Sequence, residues 1–258
     1  MWFWWAIGAW AGPADDGSTL PLALPRTPEE RLYGRMDDRG GPVEGRLRRR
    51  RDGEFAAWEL PSGTVVRYQH LDGSRVLDEH LFDAGGYPLV SVTYANGIAD
   101  KATVHAVPDV EIPLTGWTRR EVPGGTLALP ALPDERPGGG IRVDALGGEV
   151  DVWLETATDP FGDAFRDGLL AGCGCFVVDR ATTWIDGRAG VRYRLLIPGR
   201  WPRDAVDVWA IPVQGGTWLM SYRVPGPDDP VAALLPGRVL TALVSLRGDA
   251  ATSPGGGR

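Results

Sequence analysis

FDAGGYPLVSVTYANGIADKATVH, residues 82–105, alternates apolar and polar side chains between two turn signals, a loose DAGGY at 83–87 and the pair Asn96-Gly97. Asn-Gly supplies the positive backbone dihedrals of a tight hairpin, so the runs on either side read as antiparallel neighbours. Working toward the N-terminus, the same punctuation recurs at Asp72-Gly73, Ser62-Gly63 and Asp52-Gly53. Between these pairs lie the short runs RVLDEHLF, TVVRYQHL and GEFAAWEL. A turn about every ten residues is a repeat of one strand plus one turn, and residues 46–111 are expected to form an antiparallel meander.

The flanks read differently. Residues 12–45 are rich in Pro, Gly and acids and are expected to be a tether, with one helical turn at TPEERLYGRM where Thr27 and Glu30 suit a capping box. Residues 112–139, with their Pro and Gly clusters, read as a linker. Residues 140–248 then give a hairpin about Gly147-Gly148, a helix DPFGDAFRDGLLAG started by Asp159 and Pro160 and ended by Gly172, hairpins about Asp186-Gly187 and Gly215-Gly216, and a last helix started by Asp229 and Pro230 that Pro236 divides. The order hairpin, helix, two hairpins, helix predicts an α+β fold, an antiparallel sheet with helices packed on it. Residues 249–258 read as a disordered tail.

Two resemblances accompany this reading. FDAGGYPLVSVTYANGIADKATVH and the runs before it resemble the MORN-type and YD-type hairpin repeats over residues 46–107, which implies a scaffold that binds or braces. VDVWLETATDPFGDAF, IDGRAGVRYRLLIPG, VDVWAIPVQGGTWLMSYRVP and the terminal helix resemble, over 130–248, the PsbP-like and Mog1-like sandwich domains, whose members mostly act as accessory, assembly or binding proteins.

Composition narrows the chemistry. The chain is 43% hydrophobic and 24% charged with a formal net charge of -7, ordinary for a globular protein and unsuited to a broad grip on nucleic acid or anionic lipid. Lys101 is the only lysine, which excludes lysine Schiff-base chemistry and phosphate-cradling Gly-Lys-Ser/Thr loops elsewhere. The opening MWFWWAIGAWAGPADDG has a short apolar run ending in Ala9-Trp10-Ala11, the outline of a secretory signal over 1–11. No other segment approaches the ~20 apolar residues of a membrane-spanning helix. An exported protein is therefore expected.

The candidate site residues are few. Around the Asp72-Gly73 turn, regular pairing sets Leu71 against Ser74, Arg67 against Asp78 and Val65 against His80, so Arg67, Asp78 and His80 share a face as a polar cluster. A hydrolase reading makes Asp78 or Glu79 the orienter of His80. However, no Gly-x-Ser-x-Gly elbow or His-Glu-x-x-His helix supplies the remaining parts, so the nucleophile is unidentified. The basic run Arg46–Arg51 alternates across a strand and reads as a charged edge. Trp153, Trp184, Trp209 and Trp218 fall on separate strands and read as core. Cys173 and Cys175, the only cysteines, lack the spacing and partners of a zinc site or a Cys-x-x-Cys redox couple. They are candidates for a local disulfide across Gly174, with a thiol or metal site as the alternative. The expectation is an exported, non-enzymatic binding or accessory protein that contacts a protein or envelope component, with no cofactor, no metal and no nucleic acid.

Overall fold

The structure is a computed structural model. It describes residues 26–36, 42–51 and 54–246, short stretches at 61, 84, 131–133, 136–139, 157–158, 187, 199–202 and 214–215 excepted, and the first two strands by backbone alone. The signal-like segment 1–11 and the tail 249–258 lie outside the described residues.

Eight strands follow one another as an up-and-down antiparallel sheet in sequence order: β1 (Arg26–Met36), β2 (Pro42–Arg51), β3 (Phe55–Glu59), β4 (Val65–Asp72), β5 (Arg75–Phe82), β6 (Pro88–Ala95), β7 (Ile98–Val104) and β8 (Val110–Pro113). The meander read from the turn signals is there, with Asn96 (φ 55°) and Gly97 (φ 77°) as its left-handed corner pair. It begins earlier than expected, because TPEERLYGRM is strand β1 and not a helical turn; its residues pair with β2 from Arg26↔Arg50 to Met36↔Pro42. The stretch read as a linker holds the hairpin β9 (Thr118–Val122) and β10 (Gly125–Leu129), where Leu127 and Leu129 are fully buried.

The second sheet has seven strands, β11 (Asp134–Glu135), β12 (Ile141–Ala145), β13 (Gly148–Thr156), β14 (Phe176–Ile185), β15 (Arg188–Ile197), β16 (Asp204–Val213) and β17 (Gly216–Val224), in the order β11-β12-β13-β17-β16-β15-β14. Three helices complete the described fold: α1 (Asp163–Cys173), α2 (Pro230–Leu234) and α3 (Gly237–Leu243). Asp229 caps α2 through Val231 and Ala232, and Pro236 separates α2 from α3, as the sequence predicts. Helix α1 starts three residues later than expected, after Gly162, and runs past Gly172 to a left-handed Gly174.

The α+β expectation is corrected. The protein is mostly β, with two large antiparallel sheets and a small third. The physical reason is twofold. Pro236 lacks the N–H that would continue a helix and cuts the terminal segment into pieces of five and seven residues, and Arg26–Met36 and Thr118–Leu129, read as tether and linker, pair into ladders. Among the described residues α1 is the one helix of three turns.

One apolar core runs through both sheets. Val90, Val92 and Val104 of the meander pack in the same cluster as Trp209, Trp218, Met220 and Tyr222 of the second sheet, with Val239, Leu240 and Leu243 of α3 wedged among them. Each such side chain stabilises the fold by roughly 1.5–3 kcal/mol through burial. Gly237 makes this wedge fit, since a Cβ there would lie 2.6 Å from the Tyr222 ring. The other face of the second sheet is covered by α1 through Phe165, against Tyr193, Leu195 and Val208. Burial on both faces explains why β16 is buried from Ala205 to Ile211 and apolar there except for Asp207. Trp184, Trp209 and Trp218 are core as expected, and Trp153 is partly buried.

Candidate functional site

The hairpin β4–β5 splits the expected cluster. Its loop is Gly73-Ser74, closed by Asp72↔Arg75, and a bulge between His70 and Leu71 shifts the ladder further, so that Arg67 meets Leu81 instead of Asp78. A shift of three positions is odd, and an odd shift exchanges faces. Asp78 and His80 remain together, opposite His70 and Tyr68, on the outer face. Arg67 turns inward beside Glu79.

The outer face carries all three histidines of the chain in one hydrogen-bonded line. His70 Nδ1 lies 3.2 Å from Asp78 Oδ2, and His80 Nε2 lies 3.0 Å from Asp78 Oδ1. His80 Nδ1 lies 2.7 Å from Ser91 Oγ, Ser91 Oγ lies 2.8 Å from His105 Nε2, and His105 Nδ1 lies 3.2 Å from Asp109 Oδ2. Strand register builds this line: His80↔Ser91 and Asp78↔Thr93 are cross-strand pairs of β5 and β6. His105 follows β7, fixed by its N–H to the Leu89 carbonyl at 3.0 Å. Phe55 stacks on His70 at 5.1 Å, and Tyr68 leans on His80 at 5.9 Å between ring centroids.

Donor and acceptor accounting gives the line its chemistry. A carboxylate accepts, so the imidazole nitrogens facing Asp78 and Asp109 carry N–H, and in neutral rings the opposite nitrogens of His80 and His105 are both acceptors. Ser91 has one hydroxyl hydrogen for these two acceptors. The line closes from end to end when one of the two rings takes a second proton and donates to Ser91. Its carboxylate anchor responds accordingly: the hydrogen bond from His80, with that from His70, holds the Asp78 carboxyl below the usual range against the effect of burial. The side chains of His70, His80 and Asp78 are 38%, 34% and 28% exposed, so this is a surface.

Asp78, His80 and Ser91 have the donor sequence of a nucleophilic triad, yet two features set them apart from one. Ser91 Oγ lies between two imidazoles, and β6 is paired on both sides, so the N–H groups flanking Ser91 belong to ladders with β5 and β7 and are not aimed at a reacting oxygen.

Arg67 has a different role. Its Nη2 is 3.0 Å from Glu79 Oε1, its Nη1 is 3.3 Å from Asp186 Oδ1 in the turn between β14 and β15, and its guanidinium lies 5.0 Å over the Trp58 ring. Gln69 donates to Glu79 Oε2 at 2.6 Å. This group clamps one sheet to the other. It borders a polar cavity of about 360 Å³ shared with Tyr94 and Arg119, where burial, reinforced by Glu79, pushes the Tyr94 phenol well above its usual value.

Cys173 and Cys175 flank the left-handed Gly174 at the end of α1, with Cα atoms 5.1 Å apart, within the span a disulfide bridges. They pack beside the α1 layer, away from the histidine line. Among the described residues no group of three or more His, Cys, Asp or Glu is arranged to hold a metal ion, and no helix is long and apolar enough to cross a membrane.

Sequence reasoning missed Ser91, His105, Asp109 and His70. Asp78-x-His80 and His105-x-x-x-Asp109 are visible locally, but only the register through the DAGGY turn brings them to one serine. No protein-family model and no curated protein matches the chain, so its place among proteins rests on the geometry described above.

Proposed function

We propose that this is an exported, non-enzymatic binding or accessory protein that contacts a protein or envelope component through the outer face of its eight-stranded sheet. The observation that carries this reading is the histidine line itself. Its members are half-exposed, donate and accept among themselves, and present a polar face beside Thr93 and the Lys101–Glu111 pair. Such a face offers a partner exchangeable hydrogen bonds without a preorganised reacting centre. The likeness of residues 46–107 to MORN-type and YD-type repeats supports a bracing scaffold. The N-terminal apolar run and the adjacent cysteine pair support an extracytoplasmic location, where such a pair oxidises to a disulfide.

The test is capture from an envelope extract with the immobilised full chain and with an Asp78→Ala/His80→Ala variant. A defined partner retained by the first and lost by the second, with both proteins folded, is the expected result; equal retention places the contact elsewhere.

A second reading follows from the 2.7 Å approach of His80 to Ser91. A serine hydrolase would label at Ser91 with a fluorophosphonate and turn over simple esters. Labelling abolished by Ser91→Ala replaces the first reading with this one, and an unlabelled Ser91 removes it.

A further inference from the structure

Between the two sheets, beneath α3, lies a cavity of about 180 Å³ whose walls include Trp209, Leu81, Thr183, Arg192 and Arg238. One of the cations at its wall lacks an ion pair among the described residues. Arg192 and Arg194 project from β15 on the face that carries Trp209 and Asp207, by the pairs Arg192↔Trp209 and Arg194↔Asp207. Arg194 donates to both oxygens of the fully buried Asp207, each at 2.9 Å, which settles that pair. Arg192 pairs through one terminal nitrogen with Asp179 and leaves its buried Nε without an acceptor. Arg238 enters from α3 with its Nε buried and likewise without an acceptor, and its guanidinium has no ion pair among the described residues. Asp83, the carboxylate on the cavity wall, has its Oδ1 held by the amides of Gly85 at 2.8 Å and Tyr87 at 2.9 Å.

Three guanidiniums thus face Asp179 and Asp207, each already in an ion pair, and Asp83, whose Oδ1 is taken by two amides, so Arg238 is the guanidinium without a contact ion pair among the described residues. Burial, and after it the charges of Arg192 and Arg194, hold Arg238 below the ordinary arginine value against the opposite pull of Asp207 and Asp83. An unpaired charge in such a place is unfavourable until an anion joins it.

We infer that this cavity binds a small organic oxyanion, its head on Arg238 and Arg192 and its apolar part against Trp209 and Leu81. A planar guanidinium fork suits a carboxylate or phosphate head, and Thr183, which shares the inward face of β14, offers a hydroxyl beside it. The volume corresponds to about six water molecules in the liquid, which fits a short acid or free phosphate and excludes a nucleotide. The site is separate from the outer face, and its existence does not depend on that reading.

The experiment follows thermal unfolding of the full chain at constant ionic strength, with butyrate, inorganic phosphate and uncharged butyramide as probes. Butyrate or phosphate, and not butyramide, raises Tm saturably; whichever of the two acts identifies the head group. Arg238→Met raises Tm by about 3 °C in anion-free buffer, because a partly buried charge without a contact ion pair is removed, and abolishes the anion response. Arg238→Lys keeps the charge without the fork and shifts the half-saturating concentration at least tenfold upward. No shift with either anion, an equal shift with butyramide, a lowered Tm of Arg238→Met in anion-free buffer, or an unchanged response in Arg238→Lys overturns the inference.

Discussion

Asp78 and Glu79 are adjacent carboxylates on one strand, yet they live in opposite conditions. Glu79 is 2% exposed and bound to Arg67 at the seam between the sheets. Asp78 is 28% exposed and joins two imidazoles on the outer face. The pleat alone makes this difference: one carboxylate joins the two sheets and its neighbour is left at the surface.

The sharpest way to break the comparison is to delete each carboxylate. Glu79→Ala removes the nearer partner of the buried Arg67, leaving Asp186 at 3.3 Å, and is expected to destabilise the protein by about 3 kcal/mol, whereas Asp78→Ala loses about 1 kcal/mol or less, both read from denaturant unfolding. Equal losses would mean that the outer line is as structural as the inner clamp. Replacing both members of the clamp sharpens the point. Arg67→Met/Glu79→Met should recover most of the loss, since two apolar side chains of similar size suit a seam that excludes water.

Smaller effects probe the outer face alone. Ser91→Ala removes the hydroxyl between two imidazoles and should lower stability by about 1 kcal/mol, with the ¹⁵N signals of His80 Nδ1 and His105 Nε2 moving together while the nitrogens facing Asp78 and Asp109 keep their N–H. The smallest effect is a dependence on acid. Asp78 has a folded-state pKa below its unfolded value, so its contribution is present above about pH 4 and disappears as pH falls through the folded value. Wild type and Asp78→Asn should therefore differ in unfolding free energy at pH 5 and converge by about pH 2. A gap that widens on acidification contradicts the role given to Asp78.

How much of this was legible depends on the residue. Asn96-Gly97 and the alternation of LVSVTY place β6 and β7 without any structure, because both signals are local. The bulge between His70 and Leu71 has no such signal, and it alone decides that Arg67 leaves the company of Asp78 and His80. The same limit applies to TPEERLYGRM, where the capping-box pattern competes with pairing to β2 and the ladder prevails. Cys173 and Cys175 were readable as a corner pair since their geometry is set within three residues, though α1 ends at Cys173 and not Gly172. Arg192 and Arg238 carry no motif; only the packing of α3 between the meander strands and Trp209 brings them to one cavity.

On the proposed reading the outer face is where this protein meets its partner. A photo-crosslinking residue at Thr93, exposed beside the histidine line, and another at Val178 on the edge strand β14, 53% exposed, test it in one experiment. Illumination in an envelope preparation should give a discrete adduct from position 93 that His80→Ala abolishes, and none from position 178. Adducts of equal yield from both positions, or an adduct at 93 indifferent to His80, would contradict the account.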